Sequence, residues 1–377
     1  MNSMITPVNI KKLGSLSVLY ISSFVGAGYS SGQEVFEFFS SHGKNGLVSI
    51  FLFPLLLTVL SLIFLWTARC KNSIRYEEII SPVASPLVRV GIDIVISVFM
   101  MIVIVSSIAA IGSIFQRLTG LPSFVGSLFA VGLTTGFLLL NNIKKAVSML
   151  NPFLLLFLVC VCVICIYTLT TVKPVVFAHV STGGSVSPFS GKSLFSLALY
   201  TSYNLLVVIG VLSPVSRDIP AGKNLVVFGI LCPILISATI VLQYFTIICL
   251  FPNGGVVEMP LVYAASLISP IFSVAYQILM LVAAVCTVVS CLNSTIDRVG
   301  RIALLQKTPR PVIIIITTFL LFLCSLIGFS NVIHYVYPVI GFLGFFVLVL
   351  MIISYIKLRT HKKYAADEQK ETSYETD

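Results

Sequence analysis

Charged side chains are scarce in this chain. Lys, Arg, Asp and Glu together make up 10% of its 377 residues, whereas 58% of the residues are hydrophobic, and the mean hydropathy is +1.07. Soluble domains carry roughly 25% charged residues, so the composition excludes a soluble protein of this size. Uncharged runs recur from 13 to 355, and each is long enough for one or two spans of ~20 residues. We therefore predict an all-α polytopic membrane protein.

The sequence also lacks the patterns of a metal site or a catalytic centre. Its four histidines are scattered without ligand spacing, and its nine cysteines, Cys70 apart, lie inside apolar runs, where they behave as small hydrophobes. No paired carboxylates or His-rich group falls at mid-depth of an apolar segment, which argues against an enzyme. We expect no cofactor and no metal centre.

Basic residues give a net charge of +10, but they lie in short connecting segments. This distribution is typical of cytoplasmic loops beside a lipid bilayer, and it gives no reason to expect a nucleic-acid partner. When Lys and Arg are assigned alternately to the two sides of the predicted spans, most of the 23 fall on the side that holds both termini. We therefore expect both termini in the cytoplasm.

Ten apolar segments predict ten spans, and a short helix is predicted at 261–268, over the mouth of the bundle. The spans are 13–39, 47–66, 87–117, 123–140, 147–170, 193–215, 225–251, 270–305, 311–327 and 332–355. We treat 1–377 as a single integral membrane domain with one repeat at 13–172, a second at 193–356 and a cytoplasmic tail at 357–377. Five spans in each half force the halves into opposite orientations, the pattern of an inverted repeat.

The first span contains a stretch rich in glycine and serine. Gly26, Gly28 and Gly32 fall among serines, just before the carboxyl group of Glu34. Glycine in a helix interior costs ~1 kcal/mol relative to alanine, so the stretch predicts a break near 26–28. Broken backbone at membrane depth survives where it is buried in protein or lines a wet cavity. A packing contact between small residues is the competing interpretation.

A second polar group, Tyr200-Thr201-Ser202-Tyr203-Asn204, lies at mid-depth of the sixth span and predicts a second discontinuous helix. Broken helices in corresponding positions of two halves indicate a binding site between them. Unpaired N–H groups after the first break suit a carboxylate, and free carbonyls near Tyr203 and Asn204 suit an ammonium group. The expected partner is therefore a small zwitterion.

Two features of the chain resemble a known family. The order of the spans resembles the LeuT fold of the amino acid–polyamine–cation (APC) superfamily, with helices 1 and 6 discontinuous. The string from Val25 to Glu34 resembles the GAGFASGQE string of YkvI-like bacterial membrane proteins, a group described as amino-acid permeases. The resemblance implies a multi-pass protein of the bacterial cytoplasmic membrane that acts as a secondary active transporter of a small amino acid or related amine. A receptor subunit of the spore-germinant type, which senses amino acids without net transport, is the alternative.

The candidate residues follow from these two groups. The substrate-binding candidates are Val25, Gly26, Ala27, Gly28, Tyr29, Ser30, Ser31, Tyr200, Tyr203 and Asn204. The tyrosines are interpreted either as aromatic gates or as packing residues.

The coupling candidates are Glu34, Thr287 and Ser290. Burial disfavours the charged form of a carboxyl group, so Glu34 is a candidate proton carrier. Thr287 and Ser290 match the region that supplies hydroxyl ligands in sodium-coupled relatives. Cys291 stands where a second hydroxyl would be expected, so we favour H⁺ over Na⁺ as the coupling ion.

Overall fold

In the computed structural model, every regular element among the described residues is helical. The structure describes residues 10–43, 45–81, 85–139, 143–172, 191–220, 222–251, 258–300 and 307–374. The helices of the first half are α1 (Ile10–Phe24), α2 (Ala27–Ser31), α3 (Gln33–Phe38), α4 (Asn45–Lys71), α5 (Tyr76–Ile80), α6 (Pro86–Thr119), α7 (Ser123–Leu139) and α8 (Ile143–Thr171), with a 3₁₀ turn at Ser40–His42.

The second half continues in the same way. Its helices are α9 (Gly191–Leu212), α10 (Lys223–Leu250), α11 (Pro260–Ile268), α12 (Pro270–Val299), α13 (Arg310–Ser325), α14 (Phe329–Asn331) and α15 (Tyr337–Tyr374). A 3₁₀ helix, Ser213–Asp218, follows α9, and a π-helix, Val332–Val336, joins α14 to α15. The short helix predicted at 261–268 is confirmed as α11.

Each predicted span overlaps helical structure in the part of the chain that the structure describes, while 301–305 of the eighth span lies outside the described residues. Six helical stretches are long and apolar enough to cross a membrane: Asn45–Lys71, Pro86–Thr119, Gly191–Asp218, Lys223–Leu250, Pro270–Asn293 and Phe329–Thr360. Shorter apolar helices are Ser123–Leu139, Leu156–Thr171 and Arg310–Ser325. These findings support a membrane protein. The ten-span count and the inverted repeat stay predictions, and most of the connection at 173–192 lies outside the described residues.

The predicted break in the first span is confirmed. Helix α1 ends at Phe24, Gly26 is extended (φ −94°, ψ 179°), and helical structure resumes at Ala27. A second interruption follows at Gly32, whose φ of +79° is in the left-handed region that favours glycine. The first span is therefore three helical pieces joined at two glycines.

The predicted break in the sixth span is wrong, because α9 runs without interruption from Gly191 to Leu212. No glycine or proline occurs from 192 to 209. The side chains of Thr201, Ser202 and Asn204 each donate a hydrogen bond to a carbonyl three or four residues earlier in the same helix. Three of the five polar side chains thus bond within their own helix. Because α9 is continuous, the free carbonyls expected near Tyr203 and Asn204 do not exist.

Close helix packing supports the wall formed by α9. At Gly341 in α15, a Cβ atom would lie 2.9 Å from the backbone oxygen of Leu199. The Ser202 hydroxyl also donates to the carbonyl of Gly341, at 2.5 Å. Small residues allow such backbone approach between apolar helices. This contact fixes the position of α9, and with it the side chains that α9 presents near the break.

Candidate substrate site

A cavity of about 190 Å³ lies at the break in the first span. One buried water needs only ~10–15 Å³ on a comparable measure, so the cavity has room for a small organic molecule. Its lining comes from α1, the break, α3, α6, α9, α12 and α15. The lining residues are Leu19, Ser23, Phe24, Val25, Gly26, Glu34, Phe99, Val103, Tyr203, Asn204, Val207, Val211, Ala283, Cys286, Thr287, Ser290, Cys291 and Tyr337.

The carboxyl group of Glu34 is the charged centre of the cavity wall. Across the turn at Gly32, the Glu34 side chain lies against the backbone of Gly28. A Cβ atom at Gly28 would come within 2.1 Å of Glu34 Oε1. Glu34 Oε2 accepts a hydrogen bond of 2.8 Å from the Tyr203 hydroxyl group. The carboxyl group is therefore held between the broken helix and α9.

Asn204 lines the cavity one residue after Tyr203. Its Nδ2 donates to the carbonyl of Tyr200 at 2.9 Å, and the amide also carries a second N–H donor and the Oδ1 acceptor. Both Tyr203 and Asn204 are almost fully buried. Although α9 is continuous, it therefore brings two hydrogen-bonding side chains to the break.

Helix α12 contributes the coupling candidates Thr287 and Ser290 to the same wall. The Thr287 hydroxyl donates to the carbonyl of Ala283 at 3.1 Å. Cys286 and Cys291 lie beside these hydroxyl groups and also line the cavity. The face of α12 that lines the cavity therefore carries two hydroxyl groups and two thiol groups. Sulfur is a softer ligand than the oxygen atoms that alkali and alkaline-earth ions prefer.

The structure brings together seven of the sequence-predicted residues and separates the other six from the cavity. Those that line it are Val25, Gly26, Glu34, Tyr203, Asn204, Thr287 and Ser290. Those that do not are Ala27, Gly28, Tyr29, Ser30, Ser31 and Tyr200.

Five of the residues outside the lining belong to α2. The Tyr29 hydroxyl shares a 2.6 Å hydrogen bond with Thr239 of α10. The Tyr276 hydroxyl donates to the Ser30 carbonyl at 2.6 Å, and the hydroxyls of Ser30 and Ser31 donate to carbonyls of their own segment. These contacts anchor α2 to α10 and α12. They fix the position of α2 beside the break.

Tyr200 lies in an aromatic cluster outside the cavity lining. Its ring centroid is 4.9 Å from that of Phe39, 5.1 Å from that of Phe53 and 5.4 Å from that of Phe38. Of the two interpretations of the tyrosines, packing is therefore the one that fits Tyr200 and Tyr29. Tyr203 is the predicted tyrosine that reaches the cavity.

Sequence reasoning missed Phe99, Tyr337 and Cys286, and it named Cys291 only as the residue that stands where a second hydroxyl was expected. Helical spacing could have found the two cysteines, because 283, 286, 287, 290 and 291 follow the period of one helix face. No comparable signal in the sequence pairs Phe99 or Tyr337 with the break, since they come from distant helices.

The charge of the cavity has one sign. Among the described residues that line it, Glu34 supplies the single carboxylate, and none is Lys, Arg or His. Within the described part of the chain, no three His, Cys, Asp or Glu side chains are grouped closely enough to hold a metal ion. The cavity therefore has acceptors and apolar surface, and its electrostatics favour a cationic group.

The chain was compared with protein-family models and with known proteins. No protein-family model matches the chain. The chain is 22% identical over 340 residues to the uncharacterized membrane protein YkvI of Bacillus subtilis (strain 168), with 87% of this chain and 92% of that protein covered. It is 23% identical over 336 residues to the uncharacterized protein YyaD of the same organism, with 89% and 95% covered.

Solved structures of similar fold include the manganese transporter of Eremococcus coleocola. A mutant of that transporter superposes with a TM-score of 0.57 at 13% identity, covering 93% of this chain and 87% of the other. A second structure, in complex with an aromatic bis-isothiourea compound, gives a TM-score of 0.56 at 13% identity, covering 91% and 86%. The chain has the fold of a membrane transporter. At this identity the likeness establishes the fold alone.

Proposed function

We propose that the chain is a secondary active transporter of a small amino acid or related amine, which it binds at the break of the first span. The observation that carries the proposal is the Glu34–Tyr203 pair in the cavity beside that break. A discontinuous helix bordering a cavity is the usual design of a transporter binding site. The fold shared with a solved transporter supports the same assignment.

Recognition in this proposal centres on the ammonium group of the substrate. An ammonium group carries donors and a positive charge, and the cavity offers the carboxylate of Glu34 and the Oδ1 of Asn204 as acceptors. Charge-assisted hydrogen bonds of this kind are roughly twice as strong as neutral ones. The carboxylate of a zwitterion would then lie at the break, beside Val25 and Gly26.

The finer architecture also belongs to the proposal. We infer a LeuT-like five-plus-five arrangement within the APC superfamily, in the bacterial cytoplasmic membrane, with both termini in the cytoplasm. Only the first of the two expected breaks is present, so alternating access is assigned to movement of the broken first span relative to α6 and α12, with α9 remaining one rigid helix.

Protons are the proposed coupling ion. Glu34 can hold either a proton or the substrate's ammonium group, and because each excludes the other, the two fluxes become linked. Thr287 and Ser290 are the alternative sodium ligands, together with carbonyl oxygens at the break. The thiols of Cys286 and Cys291 beside them weaken that alternative, since sodium prefers oxygen ligands.

The fold neighbour suggests manganese as a second candidate substrate, and uptake assays separate the two. Proteoliposomes containing the purified protein are tested with a labelled amino-acid and amine panel, and with Mn²⁺, under an imposed pH or sodium gradient. Accumulation of an amine driven by the pH gradient supports the proposal. Uptake of Mn²⁺ without any amine flux contradicts it, and amine binding without flux favours the sensor.

A matched pair of variants tests the site itself. Tyr203→Phe removes the hydrogen bond to Glu34, while Tyr20→Phe removes a buried 2.7 Å hydroxyl contact with Ser61 outside the cavity lining. We expect Tyr203→Phe to raise the apparent KM severalfold and Tyr20→Phe to leave it near the wild-type value. Equal losses in the two variants would point to general destabilisation and away from this cavity.

A further inference from the structure

Three aromatic rings meet on one side of the cavity. The ring centroid of Tyr203 is 5.1 Å from that of Tyr337, with the planes inclined by 66°, and 6.1 Å from that of Phe99, with the planes inclined by 48°. All three residues line the cavity, and each is at most 4% exposed. They come from α9, α15 and α6, so three separate helices converge to build this corner.

The same corner holds the carboxyl group of Glu34. The Tyr203 hydroxyl donates to Glu34 Oε2, so part of the acceptor capacity of the carboxylate is already used. A primary ammonium group needs an acceptor for each of its three N–H bonds when it is buried. Beside these rings the remaining wall is largely apolar, with Val103, Val207 and Val211 among the lining residues.

A methylated ammonium group matches this wall better than a primary one. Aromatic faces attract cations through the ring quadrupole, and groups of such rings recognise quaternary ammonium ligands. N-methyl groups also remove the N–H donors that would otherwise need acceptors, and they bury apolar surface against valine side chains. One carboxylate then serves as the counter-charge.

We propose that the cavity selects small solutes whose ammonium nitrogen is tertiary or quaternary, with Phe99, Tyr203 and Tyr337 as the recognition surface. This inference rests on the proposed function and narrows its substrate class from amines to N-methylated amines. The cavity volume of about 190 Å³ restricts the substrate to small molecules.

The test is a series of ligands in which only the number of N-methyl groups changes and the rest of the molecule stays the same. Glycine and its N-methyl, N,N-dimethyl and N,N,N-trimethyl derivatives are compared as ligands of the purified full-length protein by calorimetry, and as competitors of uptake in proteoliposomes. We expect the Kd to fall by about tenfold or more from glycine to the trimethyl compound, a difference of ~1.4 kcal/mol.

Variants assign the preference to the rings. Phe99→Leu and Tyr337→Leu should each weaken binding of the trimethyl compound about tenfold and change glycine binding less, while Tyr337→Phe, which keeps a ring, should retain the preference. Phe53→Leu is the control, because Phe53 is fully buried in the aromatic cluster around Tyr200 and does not line the cavity. The methylation series is measured on the wild-type protein, so that part of the test does not depend on whether any variant folds.

The outcomes separate this inference from the proposed function. Tighter binding with each methyl group, lost in the ring variants, supports it. Tightest binding of unmethylated glycine, or of other primary amines, overturns the inference and leaves an amine transporter in place. Absence of binding and flux for the whole series and for the amine panel overturns both.

Discussion

Replacing Gly28 by alanine should move the Glu34 carboxyl group away from the cavity wall while leaving the fold intact. The added Cβ atom would lie 2.1 Å from Glu34 Oε1, 2.5 Å from Cγ and 2.6 Å from Cδ. Non-bonded heavy atoms are most stable at ~3.5–4.0 Å, so the carboxyl group must shift by roughly 1 Å or more. The side chain can rotate, whereas the helical backbone of α2 cannot.

The energetic consequences differ for stability and for binding. The shift breaks or lengthens the 2.8 Å hydrogen bond from Tyr203 to Glu34, which costs ~0.5–1.5 kcal/mol. Alanine in place of a helical glycine returns up to ~1 kcal/mol. The free energy of unfolding should therefore change by less than about 1 kcal/mol. Substrate affinity should fall by about tenfold, because the charged acceptor no longer faces the ligand.

The assay compares substrate Kd and thermal unfolding in Gly28→Ala and in a control, Gly132→Ala. Gly132 is an exposed residue of α7, where an added Cβ atom would meet no heavy atom within 4 Å. Gly26→Ala is a third variant, at the cavity itself. Gly26 borders the cavity, yet an added Cβ atom there would also meet no heavy atom within 4 Å. Wild-type affinity in a folded Gly28→Ala protein would refute the reasoning that this glycine provides the space for Glu34.

Two further predictions concern the cavity, and a third concerns the ion pair of Glu37 and His334, which lies outside the cavity lining. Glu34→Gln should keep substrate exchange, because an amide oxygen still accepts, but should lose uphill accumulation under a pH gradient; accumulation driven by sodium and unchanged in this variant would contradict proton coupling. Asn204→Leu should weaken substrate binding at least tenfold by removing an acceptor, measured by calorimetry, and unchanged affinity would remove Asn204 from the site. Glu37→Gln removes the charge from the 2.7 Å pair with His334, whose side chain is 53% exposed. Unfolding stability should therefore fall by less than ~1 kcal/mol, and a larger loss in thermal unfolding would contradict a minor contribution of this pair.

Local chemistry made the first break predictable. Helix propensity is a property of single residues, so Gly26 among serines predicts an interruption without any knowledge of the neighbouring helices. Glu34 was identified on equally local grounds, because a carboxyl group in an apolar run needs a reason to be there. Apolar runs likewise predicted the positions of the long helices to within a few residues in most cases.

The failed prediction at 200–204 has an equally local cause. Polar side chains in an apolar helix were interpreted as a break, yet hydroxyl and amide groups can donate to carbonyls of their own turn, as Thr201, Ser202 and Asn204 do. A run of polar residues without glycine or proline is therefore compatible with a continuous helix.

The sequence by itself determined that this is a helical membrane protein with a broken first span and a buried carboxyl group beside the break. These follow from hydropathy and propensity, which act residue by residue. Only the tertiary structure decided which tyrosine meets Glu34, that Gly28 provides space for a side chain, and that Phe99 and Tyr337 complete an aromatic corner. Those facts depend on contacts between residues far apart in the chain, and the relative positions of packed helices set them.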